Sequence, residues 1–346
     1  MNADIFLWLV QDGVTNGALY ALLALALMLV FAVTRVIFVP QGEFITFAAL
    51  SLSLLEAGRT PGTIYILAFG GLAAAAVEGV AALRARAWRR LPRIVALYIA
   101  LPLAVALLVA WAAPHRFAHW VQVLLVMAMV VPLGPIVYRI AYQPLAGASV
   151  LVLFIVSMAV HYVLTGLSLV FFGGEGLRSS PFSDARFRLG VVEVSAQSLF
   201  VVAASLILIC ALWLLFEHTM HGKALRATAI NRVGARLVGI PTVLMGQLSF
   251  LLAAFIGAVT GILVSSITTL YYDTGFLIGL KGFVGAILGG MASYPLAAVG
   301  ALALGLLESF SSFWASPFKE VIVFTSIIPM LVWLSLRSRH VEEEEE

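Results

Sequence analysis

The chain of 346 residues is 62% hydrophobic and only 11% charged, with a mean hydropathy of +1.08. A soluble domain carries roughly 25% charged residues, so this composition excludes an ordinary soluble protein and points to the membrane. The net charge of +3 includes five terminal glutamates, residues 342–346; removing them leaves +8, which suits basic cytoplasmic loops rather than a nucleic-acid binder.

Runs such as GALYALLALALMLVFAV lack the alternation of a membrane β-strand. The expected fold is therefore all-α, a polytopic transmembrane helix bundle. Eleven apolar segments follow one another at 13–35, 43–57, 61–83, 94–112, 119–140, 149–172, 196–217, 244–268, 276–292, 296–315 and 320–337. Those at 43–57 and 276–292 fall short of the roughly 20 residues a full crossing needs. Nine to eleven helical elements are expected, with these two as short or re-entrant pieces. No linker divides the chain, so residues 1–346 are expected to form a single transmembrane domain with an acidic, solvated tail at 340–346. The start, MNADIFLWLVQDG, has no basic region before its apolar stretch, so the first segment is expected to remain as a span. The single cysteine, Cys210, lies in an apolar run and forms no intramolecular disulfide.

Orientation follows from the basic loops. Arg84, Arg86, Arg89, Arg90 and Arg93 cluster in one; Lys223, Arg226, Arg232 and Arg236 lie in a second; Arg337 and Arg339 close the chain. Four segments separate the first two clusters and four more follow the second, as a common cytoplasmic side requires. Three segments precede Arg84, which puts the N-terminus outside and the C-terminus inside. The loop 173–194 then lies outside despite three arginines, relieved by Glu175, Asp184 and Glu193.

Three stretches carry most of the information. VIFVPQGEF (36–44) has Pro40 to stop the first helix, Gly42 for a turn or a close approach, and Glu43 at the start of the next apolar run. A carboxylate near membrane depth is costly and marks a functional site unless it is solvated at the interface. The second stretch, 217–243, is basic and helix-prone. A helix from Lys223 to Val238 would put Ala227, Ile230, Val233, Gly234 and Leu237 on one face, with Thr228, Asn231, Arg232 and Arg236 opposite, ending at Gly239 and Pro241. Such a helix lies on lipid headgroups or docks in a partner's groove, and periodicity does not choose. The third stretch, 273–312, repeats Gly275, Gly279, Gly282, Gly285, Gly289 and Gly290 at three- and four-residue steps, which serves close helix packing or an interrupted span near a binding region. Lys281 and Glu308 lie within its apolar runs and either pair with each other or face an aqueous path.

Glu78 and His161 are further polar residues in apolar segments, His161 reading as a hydrogen-bonded helix contact rather than a metal ligand. His218 and His221 have no carboxylate arrangement beside them. The sequence has no GxxxxGK[ST], HExxH or GxSxG. No catalytic residue, metal site or cofactor is expected.

Five segments, in order, resemble the membrane permease subunits of branched-chain amino-acid ABC importers, the H-type subunit in particular. They are DGVTNGALYALLALALMLVFAV (12–33), VPQGEF (39–44), VYRIAYQPLAGAS (137–149), GKALRATAINRVGARLVGI (222–240) and GLKGFVGAILGGMASYPLAAVGALALGLLESFSS (279–312). The likeness covers roughly 12–60 and 135–337. It implies a bacterial inner-membrane permease domain whose segment 217–243 is a cytoplasmic coupling loop, with Gly222, Lys223, Ala224, Arg226, Ala227, Asn231, Arg232 and Gly239 matching the family's docking loop for an ATPase. It implies as partners a second permease of the M type, forming a heterodimer, two cytoplasmic ATPase subunits and an extracytoplasmic solute-binding protein, besides membrane lipid. The family's short motif departs here, with Phe38 and Val39 at its opening places and Pro40 before Gln41. Residues 84–120 look like an insertion carrying an extra hydrophobic hairpin.

The expected function is that of a permease subunit moving branched-chain or related small polar solutes, driven by ATP hydrolysis on partners. Gln41, Gly42, Glu43, Asp273, Lys281 and Glu308 are the candidates for the solute path. The alternative is a stand-alone carrier driven by an ion gradient, with Glu43, Lys281 and Glu308 as coupling groups.

Overall fold

A computed structural model of the chain describes residues 3–183, 185–189, 192–289 and 293–343. Asp184, Gly290 and the last three glutamates lie outside the described residues, and so do the side chains of Arg337 and Arg339. The helices in chain order are α1 (Ala3–Thr34), α2 (Gln41–Glu56), α3 (Thr63–Arg84), α4 (the helical run Trp88–His115), α5 (the run His119–Leu145), α6 (Val150–Phe172), α7 (Ala196–His218), α8 (Met220–Ile230), α9 (Arg232–Leu237), α10 (Thr242–Ser265), α11 (Thr274–Leu288), α12 (Tyr294–Trp314), α13 (Lys319–Thr325) and α14 (Ile327–Glu343). The protein is an all-α polytopic bundle. Among the described residues, nine helical runs are long and apolar enough to cross a membrane: α1, α3 to α7, α10, α12 and the run Ser316–Trp333. The strands described are one antiparallel pair, β1 (Arg186–Leu189) with β2 (Val192–Ser195), in the loop before α7.

The segment 84–120 is not a hairpin. It holds one helical run, α4, ended by Arg116 in a left-handed turn (φ 45°). Nothing between Ile94 and Ala113 supplies a turn. Pro102 would interrupt a regular helix, but a π-turn over Ala96–Ala100 precedes it and absorbs the misfit. Gly71 of α3 leaves room for the Tyr98 carbonyl of that widened turn.

The chain divides into two compact units. One comprises Met1–Met28, Phe182–Trp213 and Leu277–Glu346; the other Leu29–Pro181 and Leu214–Phe276. In the first, small residues let helices touch. Gly13 and Gly17 of α1 meet Leu306, Leu302 and Gly305 of α12, while Gly285 and Gly289 of α11 meet Ala301 and Ala297. Tyr20, Ala24, Val284, Ala301 and Leu304 fill the core beside them.

The second unit is built around α2. Nearly every residue from Gln41 to Leu55 is buried, so this helix is covered on all sides rather than on one face. It runs parallel to α10. Gly257 sits over Gln41 and Phe44, and one turn on Gly261 meets Ile45 and Ala48. Arg178, in the loop expected outside, donates to the Ser266 carbonyl from both Nε (3.3 Å) and Nη2 (2.9 Å), which satisfies one of that loop's arginines within the chain.

Candidate functional site

The second unit brings polar groups together where α2 begins. Thr34 ends α1, residues 35–38 have no regular structure, and Pro40 stands immediately before α2. The last turns of α1 pack Leu29 and Val33 with Leu225, Met245 and Leu252, beside the basic segment. Phe38 is fully buried against Phe250 (ring centroids 4.6 Å apart) and Tyr142 (5.8 Å). The Gln41 side chain then donates to the Ala253 carbonyl (3.0 Å), eleven residues beyond Thr242 at the start of α10. At 1.5 Å per residue that is about 17 Å into α10, near the middle of a hydrocarbon core about 30 Å thick. The N-terminus of α2 therefore lies level with the middle of α10, where a helix that crosses a membrane would be at mid-depth.

Glu43, in the first turn of α2, is 0% exposed. Its Oε1 accepts from His161 Nδ1 (2.8 Å), and Thr165 Oγ1 lies 3.3 Å from the same nitrogen. His161 stands eleven residues beyond Val150, where α6 begins, so a second helix gives the same depth of about 17 Å. Glu43 Oε2 has no hydrogen-bond partner among the described residues. A second helix start faces this point. Gly275 of α11 donates its N–H to Thr46 Oγ1 (3.1 Å) and packs directly on the Gly42 backbone, and the Phe276 ring stacks on His161 (4.4 Å). Two helix N-termini, each carrying partial positive charge, thus converge beside one buried carboxylate.

Of the path candidates, Gln41, Gly42 and Glu43 lie at this junction. Asp273 is exposed in the turn before α11, where its carbonyl accepts from the Phe276 N–H (3.1 Å). Lys281 and Glu308 belong to the other unit and pair with each other. Lys281 Nζ lies 2.6 Å from Glu308 Oε1 and 3.0 Å from Glu320 Oε1, and Tyr20 donates its hydroxyl to Glu308 Oε2 (2.5 Å). The junction also recruits residues not singled out from the sequence, Thr46, Thr165 and Phe276, while Ser157 bonds to the Tyr142 hydroxyl (3.0 Å). Ser157, His161, Thr165 and Ser168 recur at steps of four, four and three on α6, a polar stripe within an apolar helix. That spacing was the available signal.

The basic segment is two helices rather than one. Thr219 caps α8 by accepting from the Gly222 N–H (3.0 Å). Asn231 leaves the helix (φ −145°, ψ 100°) and caps α9, its Oδ1 accepting from the Gly234 N–H (2.8 Å). Asparagine competes with helical backbone bonding and favours such caps, which is why a continuous helix fails here. The faces shift accordingly. Thr228 is buried and bonds back to the Ala224 carbonyl, while Ala227 and Gly234 are half-buried. Ile230, Val233, Leu237 and Val238 stand out, with Ile230 78% and Leu237 83% exposed.

The arginines turn toward their own chain. Arg226 reaches the Phe216 carbonyl (3.1 Å) and Glu217 (2.8 Å), Arg232 the Ala146 carbonyl (3.2 Å), and Arg236 the Thr242 hydroxyl (3.0 Å). Gly222 is buried against the Leu215 backbone, Ala224 is half-buried, Lys223 is exposed, and Gly239 adopts a left-handed φ of 87° that ends the elbow.

Comparison with known proteins places this arrangement in a family. Residues 94–334 match the family described as branched-chain amino acid transport system / permease component. That match takes in most of the segment 84–120. The chain is 28% identical over 205 residues to the high-affinity branched-chain amino acid transport system permease protein LivH of Escherichia coli (strain K12), covering 56% of this chain and 65% of that protein. It is 26% identical over 207 residues to the permease protein BraD of the corresponding system of Pseudomonas aeruginosa, covering 58% and 67%. It is 28% identical over 213 residues to a probable branched-chain amino acid transport permease protein LivH of Methanocaldococcus jannaschii, covering 58% and 66%. The chain thus spans a little under two thirds of the length of LivH. With a family match over more than half of its residues, the chain belongs to the permease components of branched-chain amino acid transport systems.

Proposed function

We propose that the chain is the membrane-spanning permease subunit of an ATP-driven importer for branched-chain amino acids or related small polar solutes. It works in the bacterial inner membrane with a second permease of the M type, two cytoplasmic ATPase subunits and an extracytoplasmic solute-binding protein. Hydrolysis occurs on the partners. The observation that carries the reading is the elbow α8–α9. Four neighbouring apolar side chains, Ile230, Val233, Leu237 and Val238, stand exposed on a segment whose arginines are bonded to their own chain. Such a face suits a groove on a protein partner, where buried apolar anchors dominate affinity. On a headgroup surface the arginines would instead be turned outward to acidic lipid. The docking set Gly222, Lys223, Ala224, Arg226, Ala227, Asn231, Arg232 and Gly239 then acts mainly by shaping the elbow, and the apolar side chains make the contact.

The solute path runs by the junction of α2 and α11 at Gln41–Glu43, since interrupted crossings at mid-depth are where transporters place their sites. Lys281 and Glu308 neutralise one another, which weighs against their serving as free coupling groups of a stand-alone carrier. With the elbow cytoplasmic, the end of α1 beside it is cytoplasmic too, so the N-terminus is outside. The test is co-purification: Ile230→Asp with Leu237→Asp abolishes recovery of the ATPase with this chain while membrane insertion persists, and normal recovery would remove the reading.

A further inference from the structure

We infer that Glu43, held by His161, is a binding point for the ammonium group of the solute. This rests on the permease reading above and names what its path recognises. A carboxylate at mid-membrane is costly unless its acceptor positions are filled. Here Oε1 is filled by His161, while Oε2 is buried and has no partner among the described residues. The vacant acceptor calls for a donor, and a cationic one gives the shortest and strongest bond. The convergence of two helix starts, at Gln41 and Thr274, adds the complementary half: positive dipole ends that suit a carboxylate. Together the two polarities fit a zwitterion, an ammonium on Glu43 and a carboxylate toward the helix starts.

In the described conformation the point is shut. Gly42 lies on Gly275, and the Phe276 ring covers His161. Entry of solute requires the start of α11 to part from α2. Two glycines in contact leave no side chains of their own to disentangle, and the Phe276 ring must swing away from His161.

The experiment uses the chain purified with its ATPase and permease partners but without the solute-binding protein, whose own specificity would mask that of the membrane site. Binding of radiolabelled leucine is competed with 3-methylbutylamine, which lacks the carboxylate, and with 4-methylpentanoate, which lacks the ammonium. The amine is expected to compete, the acid to fail, and Glu43→Gln to weaken leucine binding by about tenfold or more. His161→Gln keeps a donor for Glu43 and should weaken it less. Equal competition by 4-methylpentanoate in the unaltered assembly overturns the inference without any variant having to fold, and so does an unchanged leucine affinity in Glu43→Gln. If cells take up leucine through the intact system but the purified assembly binds none, the inference falls and the permease reading stands. If the intact system does not move leucine at all, both fall.

Discussion

Gly42 and Gly275 meet backbone to backbone: a Cβ added to either would land on the carbonyl oxygen of the other. The contact joins the first turns of α2 and α11 at the depth where Glu43 is buried. A methyl at either position has no flexible neighbour to displace, so Gly42→Ala and Gly275→Ala should each destabilise the protein by about 1–3 kcal/mol. Gly79 of α3 and Gly166 of α6 have open space where a Cβ would sit. Alanine at either should be neutral or stabilising by up to about 1 kcal/mol, since it removes the entropic cost of a helical glycine. Thermal unfolding in detergent separates the two pairs.

The elbow separates two roles that the sequence merges. Leu237→Asp should leave thermal stability unchanged, because the side chain already stands free, yet reduce ATPase recovery by tenfold or more. Arg232→Ala removes the bond to the Ala146 carbonyl and should loosen the elbow by about 1 kcal/mol, with a smaller loss of ATPase. Hydrogen exchange over residues 219–240 reads the second effect and recovery reads the first.

In the other unit, Lys281 lies between Glu308 and Glu320. Lys281→Met leaves the buried Glu308 with only the more exposed Lys319, 3.8 Å away, as a cationic partner, and should cost about 2–4 kcal/mol. Glu308→Gln added to it should restore part of that loss. The cycle of single and double variants, followed by unfolding, gives the coupling directly. Independent, additive losses would mean that the pair is not formed in the membrane.

Topology gives a further check. The link 35–40 carries the chain from the end of α1, beside the elbow, to Gln41 and on into α2. Asp4→Cys should therefore react with an impermeant maleimide added to intact spheroplasts, whereas Lys223→Cys should react only after permeabilisation. Reversal of the two would place the elbow outside and end the docking account.

Much of this was legible in the sequence because composition and length govern it. The apolar run at 43–57 is too short to cross, and α2 is indeed a short buried helix. For Lys281 and Glu308 the sequence leaves pairing and an aqueous path open, since their separation of 27 positions fixes no geometry; the structure brings them within 2.6 Å. His161 read as a hydrogen-bonded contact, but its partner did not, since Glu43 is 118 positions away and no periodicity links them. The polar stripe from Ser157 to Ser168 was written at helical spacing and passed over within a strongly apolar segment. Periodicity alone puts Asn231 on a helix face and is blind to its capping, which in the structure breaks the segment in two. The segment 84–120 reads as an inserted hairpin, but it holds one helical run, because a local widening of the helix accommodates Pro102 without a turn.

The central claim is that solute movement through this chain is driven by ATP hydrolysis on its partners. Leucine uptake into proteoliposomes holding the chain, its permease and ATPase partners and the solute-binding protein, with and without enclosed ATP, tests it most directly. The account predicts uptake only when ATP is present and the elbow is intact. Concentrative uptake by this chain alone, driven by an ion gradient and unaffected by Leu237→Asp, would contradict it.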